Sequence, residues 1–403
     1  MQGSFRCGQD GRGARTSGSS KGSAVTRTRV DAAKLWETGK KDYRGAIKNG
    51  GDMLSYDVVE WGKALQRAEK PTPKPTGTEV LLKLKYCGVC HSDVHIREGY
   101  FDLGGGKRFN MSDRGMHPPI TLGHEPYGTV IAAGPDAKDA PVGKDRLVCP
   151  WIGCGQCVRC LEGMDNHCMA PRWIGIQRPG GYADHLLVPH PKYLVDAGGL
   201  DPAWAATLSC SGLTTYSAVS QLKPIPRDEW VMLLGAGGLG LMAIEMLRAF
   251  GHEKIISVDI DDAKLAVAKK EGAAATLNSR APEAAKKLQQ IAGGPLYGAV
   301  DLVGAADTAS LALGALRKGG KLIVVGLYGG EIPVSLVLVV QRAWRIQGSS
   351  VGTVAELKEV IALARAGRIK PIPIEKRPLA EVSRTLDQLK AGQITGRVVA
   401  AIE

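Results

Sequence analysis

The chain has 403 residues, of which 44% are hydrophobic and 23% charged, a composition that is ordinary for a globular protein and excludes general disorder. The formal net charge is +12, but residues 1–50 hold 11 Lys/Arg against 4 Asp/Glu and so contribute +7 of it, which leaves a weak case for a nucleic-acid surface. The longest uncharged run, residues 202–222, is interrupted by Ser, Thr and Gly, which argues against a membrane span.

The first 52 residues are predicted to form a disordered or non-catalytic extension. Residues 1–30 are rich in Gly, Ser and Arg, contain Asp10 as their single acid and show no hydrophobic periodicity, a composition typical of disorder. An Arg- and Ser-rich segment poor in acids is also typical of an organelle-targeting peptide, although a clear amphipathic face is missing. Cytoplasmic localisation is the preferred prediction, and organelle targeting is the alternative.

The rest of the chain shows two patterns. Residues 53–211 alternate short β-type runs, such as 80–86 and 127–132, with Gly/Pro turns, which predicts an irregular, mainly antiparallel domain. Residues 212–350 alternate apolar strands with helical patterns, which predicts an α/β fold with a doubly wound parallel sheet of the Rossmann type. Residues 351–403 contain a helical pattern and a final strand, GRVVAAI, and are predicted to return to the first domain.

Four of the nine cysteines fall within fifteen residues of one another. Cys154, Cys157, Cys160 and Cys168 follow the spacing C-x2-C-x2-C-x7-C, and an odd total cannot pair completely as disulfides. Four clustered thiolates complete a tetrahedral shell and leave no position for a substrate, which predicts a structural zinc site in a reducing compartment. Replacement of one thiolate by His167, or an iron–sulfur cluster in place of zinc, are the alternatives.

Three further candidate metal ligands come from segments that lie far apart in the chain. GVCHSD, GHE and SCSG contain Cys90, His124 and Cys210. Two thiolates and one imidazole leave a fourth position free, which is the ligand set of a catalytic zinc. Together with the four-cysteine group, this predicts two zinc ions per chain.

A glycine motif predicts a dinucleotide site. GAGGLG follows an apolar β-type run and precedes a helical pattern, an order in which Gly235, Gly237, Gly238 and Gly240 would allow a tight turn, close approach of a pyrophosphate and close helix packing. The helix N-terminus would attract the phosphates. Asp259 ends the next strand, and a carboxylate there binds the ribose hydroxyls and repels the extra phosphate of NADP, so NAD is predicted.

The motifs GVCHSD, GHE, the four cysteines and GAGGLG occur in an order that resembles the zinc-containing medium-chain alcohol dehydrogenases. The resemblance covers residues 53–403. It implies a GroES-like catalytic zinc-binding domain from residues 53–211 and 351–403, and an NAD-binding domain from residues 212–350. In that family the corresponding zinc ligands are Cys90, His124 and Cys210.

The resemblance also implies roles for single side chains. Asp93 matches a carboxylate that orients the zinc-binding histidine, and Glu125 matches an acid beside the metal. Ser92 and His95 match a relay that carries the substrate proton to solvent, with an exposed histidine of no function as the alternative for His95. Further matches, each with an ordinary structural role as its alternative, are His91 at the coenzyme phosphates, Lys264 at the ribose, Thr214 at the nicotinamide, Arg397 at the pyrophosphate and Trp151 as a wall of the alcohol pocket.

Two features distinguish this sequence within the resemblance. The segment 99–119 between two zinc-ligand motifs is long; its Gly104, Gly105 and Gly106 predict mobility, and its place in the chain predicts an effect on substrate access. The stretch between Cys168 and Cys210 is short, as in microbial tetrameric members. A homotetramer is therefore predicted, with a homodimer as the alternative.

The combined prediction is reversible oxidation of a primary or small secondary alcohol to an aldehyde or ketone, with hydride transfer to NAD. The expected partners are small alcohols and aldehydes, with no membrane and no nucleic acid. A polyol or formaldehyde-adduct dehydrogenase would use the same residues and stays an alternative. A non-enzymatic zinc protein that binds nucleic acid leaves GAGGLG and Asp259 unexplained, and a zinc-free quinone reductase leaves the three separated metal ligands unexplained.

Overall fold

The computed structural model describes residues 52–403, and the predictions for residues 1–51 fall outside the described residues. The elements of the first part of the chain are β1 (Asp52–Val58), β2 (Gln66–Pro71), β3 (Val80–Val89), α1 (His91–Glu98), β4 (Tyr100–Gly104), β5 (Lys107–Asn110), β6 (Ile120–Thr121), β7 (Glu125–Ala133), β8 (Asp145–Val148), α2 (Val158–Leu161), β9 (His185–Val188), β10 (Leu194–Val195) and α3 (Pro202–Thr207).

The second part begins with a short π-helical turn, Leu208–Gly212, that follows α3 directly. Its further elements are α4 (Leu213–Ser220), β11 (Val231–Leu234), α5 (Gly238–Ala249), β12 (Ile255–Asp259), α6 (Asp262–Lys270), β13 (Ala275–Asn278), α7 (Ala284–Ala292), β14 (Leu296–Asp301), α8 (Ala306–Ala315), β15 (Leu316–Val324), α9 (Leu336–Arg342), β16 (Arg345–Gly348), α10 (Val354–Arg365), β17 (Ile374–Pro378), α11 (Val382–Lys390) and β18 (Arg397–Ala401). None of the described helices has the length and apolar character needed to cross a membrane.

A six-stranded parallel sheet has the strand order β13-β12-β11-β14-β15-β16. This is the 3-2-1-4-5-6 order of the Rossmann fold, in which ligands bind outside the carboxyl ends of the strands. The central strand β11 is apolar at every position and fully buried, as expected for a parallel strand covered by helices on both faces. The predicted α/β class is confirmed.

The larger antiparallel sheet has the order β10-β8-β7-β3-β18-β17, with β9 also paired to β3. The C-terminal strand β18 pairs antiparallel with β3, and Val398 lies opposite Val89. This register brings the beginning of β18 next to the end of β3, one residue before Cys90. The boundaries predicted at residues 53, 211 and 351 remain predictions.

The segment 99–119 contains a regular hairpin where the sequence suggested a mobile loop. Strands β4 and β5 pair antiparallel, and Gly105 and Gly106 form the two-residue connection with φ values of +56° and +75°. Positive φ at both positions is the requirement of a type I′ hairpin turn, which accounts for the glycines; the mobility of the segment stays a prediction. The hairpin tip lies against the segment after β15, because a Cβ at Gly104 would lie 2.8 Å from the Cβ of Glu331.

Candidate metal centres and coenzyme cleft

Three turns bring the separated candidate zinc ligands together. Cys90 is the N-cap residue of α1, His124 immediately precedes β7, and Cys210 lies in the π-helical turn, an irregularity often found at functional sites. Their ligand atoms and a carboxylate oxygen of Glu125 all lie within 4.8 Å of one another, and all four side chains are buried. The set predicted from the sequence is therefore brought into one buried cluster.

The donor atoms of this cluster fit a tetrahedral cation. The two sulfurs are 3.8 Å apart, close to the roughly 3.8 Å expected for two thiolates bound to one zinc ion at about 2.3 Å. The pKa of Cys90 is held well below its ordinary value, first by the hydrogen bond from Cys210, whereas that same bond raises the pKa of Cys210. Two buried thiolates this close need a cation before both can ionise.

His124 is oriented toward the same point. Its Nδ1 lies 3.1 Å from Asp93 Oδ1, while its buried Nε2 has no hydrogen-bond partner among the described residues. A carboxylate on the far ring nitrogen is the usual arrangement behind a metal-binding histidine, since it leaves Nε2 free to coordinate. Asp93 also accepts a hydrogen bond from the backbone N–H of Cys90 at 3.1 Å.

Glu125 forms a buried ion pair with Arg397. An Nη2 donor of the guanidinium contacts Glu125 Oε1, and burial raises the pKa of Glu125 to about 7 although the guanidinium lowers it. The aliphatic part of Arg397 packs on the backbone of Gly238 in the coenzyme turn. One side chain therefore contacts both the metal-binding cluster and the predicted pyrophosphate site.

The four-cysteine group forms a second cluster, in which all four sulfurs lie within 4.8 Å of one another. The sulfurs of Cys157 and Cys160 are 3.5 Å apart, and those of Cys157 and Cys168 are 3.8 Å apart. Burial opposes ionisation of Cys154, but the backbone N–H groups of Gln156 and Cys157 outweigh it and lower its pKa to about 7. His167 is not part of this cluster.

The two predicted relay residues, Ser92 and His95, lie on α1 together with His91. Ser92 lies at hydrogen-bonding distance from the Cys90 sulfur, 3.8 Å. The ring of His95 is 5.3 Å from that of His91 and 5.2 Å from that of Phe101 in the hairpin. Burial, followed by the neighbouring His91, lowers the pKa of His95 to about 4, so its imidazole is neutral near pH 7.

The glycine turn has the shape that a pyrophosphate needs. Gly235 has a φ of +98°, which favours glycine. A Cβ at Gly240 would collide with the carbonyl oxygen of Gly235, whereas a Cβ at Gly237 would meet nothing within 4 Å. Gly240 is thus required for packing of α5 on the turn, and Gly237 faces open space at the helix N-terminus.

Of the remaining predicted coenzyme residues, Asp259 contacts this turn. Asp259 Oδ2 accepts a hydrogen bond from the Ala236 N–H at 2.7 Å, and its Oδ1 accepts one from Ile260. Thr214 is buried, and its hydroxyl has no partner among the described residues. Lys264 is half-buried on α6, with its ammonium directed toward Gly392.

Trp151 packs directly behind the metal-binding cluster. Its ring is 5.4 Å from that of His124 and contacts Trp173 edge-on at 5.3 Å. Its indole N–H donates to the carbonyl oxygen of Ser209, next to Cys210. Trp151 is 4% exposed, so the ring is fixed by packing on one side and by a hydrogen bond on the other.

Comparison with known proteins identifies the family. Residues 76–197 match the alcohol dehydrogenase GroES-like domain, and residues 238–366 match the zinc-binding dehydrogenase domain. An NAD-dependent alcohol dehydrogenase of Sulfurisphaera tokodaii is 37% identical over 348 residues, which cover 86% of this chain and 99% of that protein. The chain belongs to the zinc-dependent medium-chain alcohol dehydrogenase family.

Two further comparisons support this family membership. An alcohol dehydrogenase of Geobacillus stearothermophilus is 34% identical over 355 residues, which cover 87% of this chain and all of that protein. The crystal structure of the alcohol dehydrogenase from Aeropyrum pernix superposes with a TM-score of 0.78 at 26% identity, covering 86% of this chain and 99% of that one. The zinc and Rossmann predictions made from the motifs agree with this family.

Sequence reasoning missed two side chains that shape the site of this family member. Tyr182 donates its hydroxyl to Asp93 at 2.7 Å, and Phe101 stacks on His95. Neither residue lies in a metal-binding or glycine motif. The triple glycine between the β-type runs YFDL and KRFN was a signal for the hairpin that carries Phe101.

Proposed function

We propose that the chain catalyses the reversible, NAD-dependent oxidation of a primary or small secondary alcohol to the aldehyde or ketone. The observation that carries this proposal is the position of Arg397, which joins the Cys90–His124–Cys210 cluster to the glycine turn through Glu125 on one side and Gly238 on the other. Hydride transfer from a metal-held alcohol requires a cation site next to a dinucleotide-binding site.

Cys90, His124 and Cys210 would hold zinc, whose role when bound is that of a Lewis acid on the alcohol oxygen. Ser92 and His95 would carry the released proton away from the substrate: Ser92 lies beside the Cys90 sulfur, and His95 borders the hairpin. Trp151 supplies a fixed aromatic wall behind His124.

NAD would bind at the glycine turn. The open space beside Gly237 accommodates the pyrophosphate at the N-terminus of α5, and the buried, unpartnered hydroxyl of Thr214 is available to the nicotinamide. Asp259 would favour NAD over NADP because its carboxylate repels a ribose phosphate. Lys264 and His91 are proposed to contact the ribose and the phosphates.

A second zinc is proposed in the Cys154–Cys157–Cys160–Cys168 cluster, which would give two zinc ions per chain. The segment around these cysteines has only the four-residue α2 and one short 3-10 turn, and Val158, Leu161 and Met169 are exposed. A segment with so little core of its own gains its order from the metal.

The β4–β5 hairpin is proposed to restrict access to the site. Its tip contacts Glu331, in the segment that follows β15 at the ligand-binding edge of the parallel sheet. The same hairpin contacts His95 through Phe101. We infer that small alcohols pass more readily than bulky ones.

Self-association is proposed to bury the edge of the parallel sheet. Every residue of β16 is exposed, and the neighbouring helix α9 exposes Leu336, Val337 and Val340 to 81%, 63% and 78%. Contiguous apolar surface beside an open sheet edge is typical of a subunit interface. This supports a homo-oligomer, a tetramer or a dimer, and cytoplasmic localisation stays a separate part of the proposal.

Metal analysis together with NAD and NADP reduction across a panel of alcohols tests the proposal. The purified protein should contain about two zinc ions per chain if both clusters fill as tetrahedral centres, and should reduce NAD with small alcohols. Cys210→Ala should keep its fold and lose turnover together with one zinc, whereas Cys157→Ala should mainly lower the melting temperature. If both variants only lowered stability, the assignment of roles would be wrong.

A further inference from the structure

Tyr182 lies at the end of a hydrogen-bond chain that leads to the metal-binding cluster. The residue is completely buried, and its hydroxyl is 2.7 Å from Asp93 Oδ2. Burial, followed by the charge of Asp93, raises the pKa of Tyr182 well above its ordinary value. The phenol therefore stays protonated and donates a hydrogen bond to the carboxylate oxygen of Asp93.

Asp93 accepts hydrogen bonds from four donors, one of which is the His124 ring that it orients. Its Oδ2 accepts from Tyr182 and from the Cys90 N–H, and its Oδ1 accepts from His124 Nδ1 at 3.1 Å and from the Gly123 N–H at 3.4 Å. The bond from Tyr182 is the shortest of the four, and its length is that of a charge-assisted bond. It fixes the plane of the carboxylate, and hence the direction of the His124 ring.

The tyrosine also supports the backbone that carries His124. Its N–H donates to the Leu122 carbonyl at 2.9 Å, and a Cβ at Gly123 would lie 2.6 Å from the Tyr182 ring. Gly123 has a φ of +93°, a conformation that suits glycine. The ring of Tyr182 therefore packs on Gly123, next to His124, while its hydroxyl donates a hydrogen bond to Asp93, which contacts His124 Nδ1.

We propose that Tyr182 is a positioning residue that sets the metal affinity of the Cys90–His124–Cys210 site through Asp93. The inference rests on the proposed zinc site. Partners of this kind, one bond removed from a metal ligand, typically change metal affinity by 10- to 100-fold when they are replaced. Tyr182→Phe keeps the ring that packs on Gly123 and removes only the hydroxyl that orients Asp93.

The chain provides a matched control near the other cysteine cluster. Tyr193 is also buried, at 3% exposure, and its hydroxyl also donates to a carboxylate, Asp165 Oδ1, at 2.7 Å. A Cβ at Gly153 would lie close to both Asp165 and the Cys160 sulfur, which places this second pair beside the four-cysteine cluster. Tyr193→Phe removes the same chemical group without touching Asp93 or His124.

The test follows metal binding in the full chain, independently of turnover. Zinc release to a chromogenic chelator and the thiolate-to-cobalt absorption of Co²⁺-substituted protein are measured for the wild type and both variants. We expect Tyr182→Phe to raise the dissociation constant of the Cys90–His124–Cys210 site about 10- to 100-fold and to shift its cobalt spectrum. Tyr193→Phe should leave that spectrum unchanged.

A double variant separates orientation through Asp93 from a general loss of stability. Once Asp93→Ala has removed the acceptor, adding Tyr182→Phe should change zinc affinity less than twofold, because the hydroxyl no longer has the group through which it acts. Unchanged affinity and spectrum in Tyr182→Phe, or an equal loss at both clusters, would overturn the inference. A wild type that binds no metal at the Cys90–His124–Cys210 site would overturn the zinc proposal as well, so the two failures are distinguishable.

Discussion

The buried ion pair between Arg397 and Glu125 gives a prediction whose size follows from the structure. Arg397 is 6% exposed and the Glu125 side chain is fully buried, so the variant Arg397→Met leaves a carboxylate without its cation and without water. Removing one partner of a buried pair costs about 3–5 kcal/mol of unfolding free energy. Replacing Glu125 by Gln in the same chain removes the stranded charge, and the double variant should regain at least half of that loss.

Urea unfolding of the metal-free, coenzyme-free protein is the appropriate assay, because a bound cation would itself shift the pKa of the adjacent Glu125. Arg384→Met serves as control, because Arg384 pairs with Glu381 on the surface at 3.5 Å, where the two side chains are 70% and 41% exposed, and should cost less than about 1 kcal/mol. A double variant no more stable than Arg397→Met would refute the reasoning, because the loss would then come from packing and not from the unpaired carboxylate.

The loss of unfolding free energy in Arg397→Met should depend on pH in a direction that follows from the pKa of Glu125. The folded-state pKa of Glu125, about 7, lies above its ordinary value of 4.5, so ionisation of Glu125 lowers stability as the pH rises from 4.5 to 7. Loss of Arg397 raises the pKa of Glu125 further, so the decrease in stability continues to higher pH. The deficit of Arg397→Met should therefore grow as the pH rises above 7 and be smaller at pH 5.

Three further substitutions test the coenzyme turn, the proton relay and the hairpin. Gly240→Ala should weaken NAD binding at least tenfold in a fluorescence titration, because overpacking at the turn costs about 1–3 kcal/mol. The control is Gly314→Ala, whose Cβ meets nothing within 4 Å. It should leave protein stability unchanged or raise it. His95→Gln should lower kcat about 100-fold, and the wild-type rate should show no loss from His95 protonation down to about pH 5, since its pKa is about 4. Glu331→Ala should raise kcat/KM for bulky alcohols relative to ethanol by roughly threefold or more if the hairpin contact restricts access, while Glu253→Ala, on the exposed surface, should leave the ratio unchanged.

The features that the sequence predicts well are those with a local signal. A continuous apolar run such as VMLL can be stable only as a strand covered on both faces, and the glycine spacing beside it follows from backbone contact at Gly240. The close spacing of the four cysteines likewise limits what they can bind. These local constraints predicted the Rossmann sheet and the four-cysteine cluster, whereas Cys90, His124 and Cys210 were predicted from three separated motifs and their order.

Pairings between polar residues far apart in the chain could not be predicted in this way. Glu125 and Arg397 are 272 residues apart, and Asp93 and Tyr182 are 89 apart. A buried ion pair or hydrogen bond leaves no periodic pattern, since each partner is a single polar residue in an apolar segment. Only the register of β18 on β3 brings Arg397 to Glu125.

The distribution of charge around the Cys90–His124–Cys210 cluster explains why these pairings are needed. A divalent cation and the thiolates of Cys90 and Cys210 sum to zero, and Glu125 and Arg397 neutralise each other. The buried carboxyl group of Asp93 accepts hydrogen bonds from Tyr182, His124 and two backbone N–H groups. Desolvating a carboxylate is costly unless donors replace the lost water, so the phenol of Tyr182 supplies solvation that water provides at the surface. Its removal should therefore weaken the same metal site that Asp93 organises.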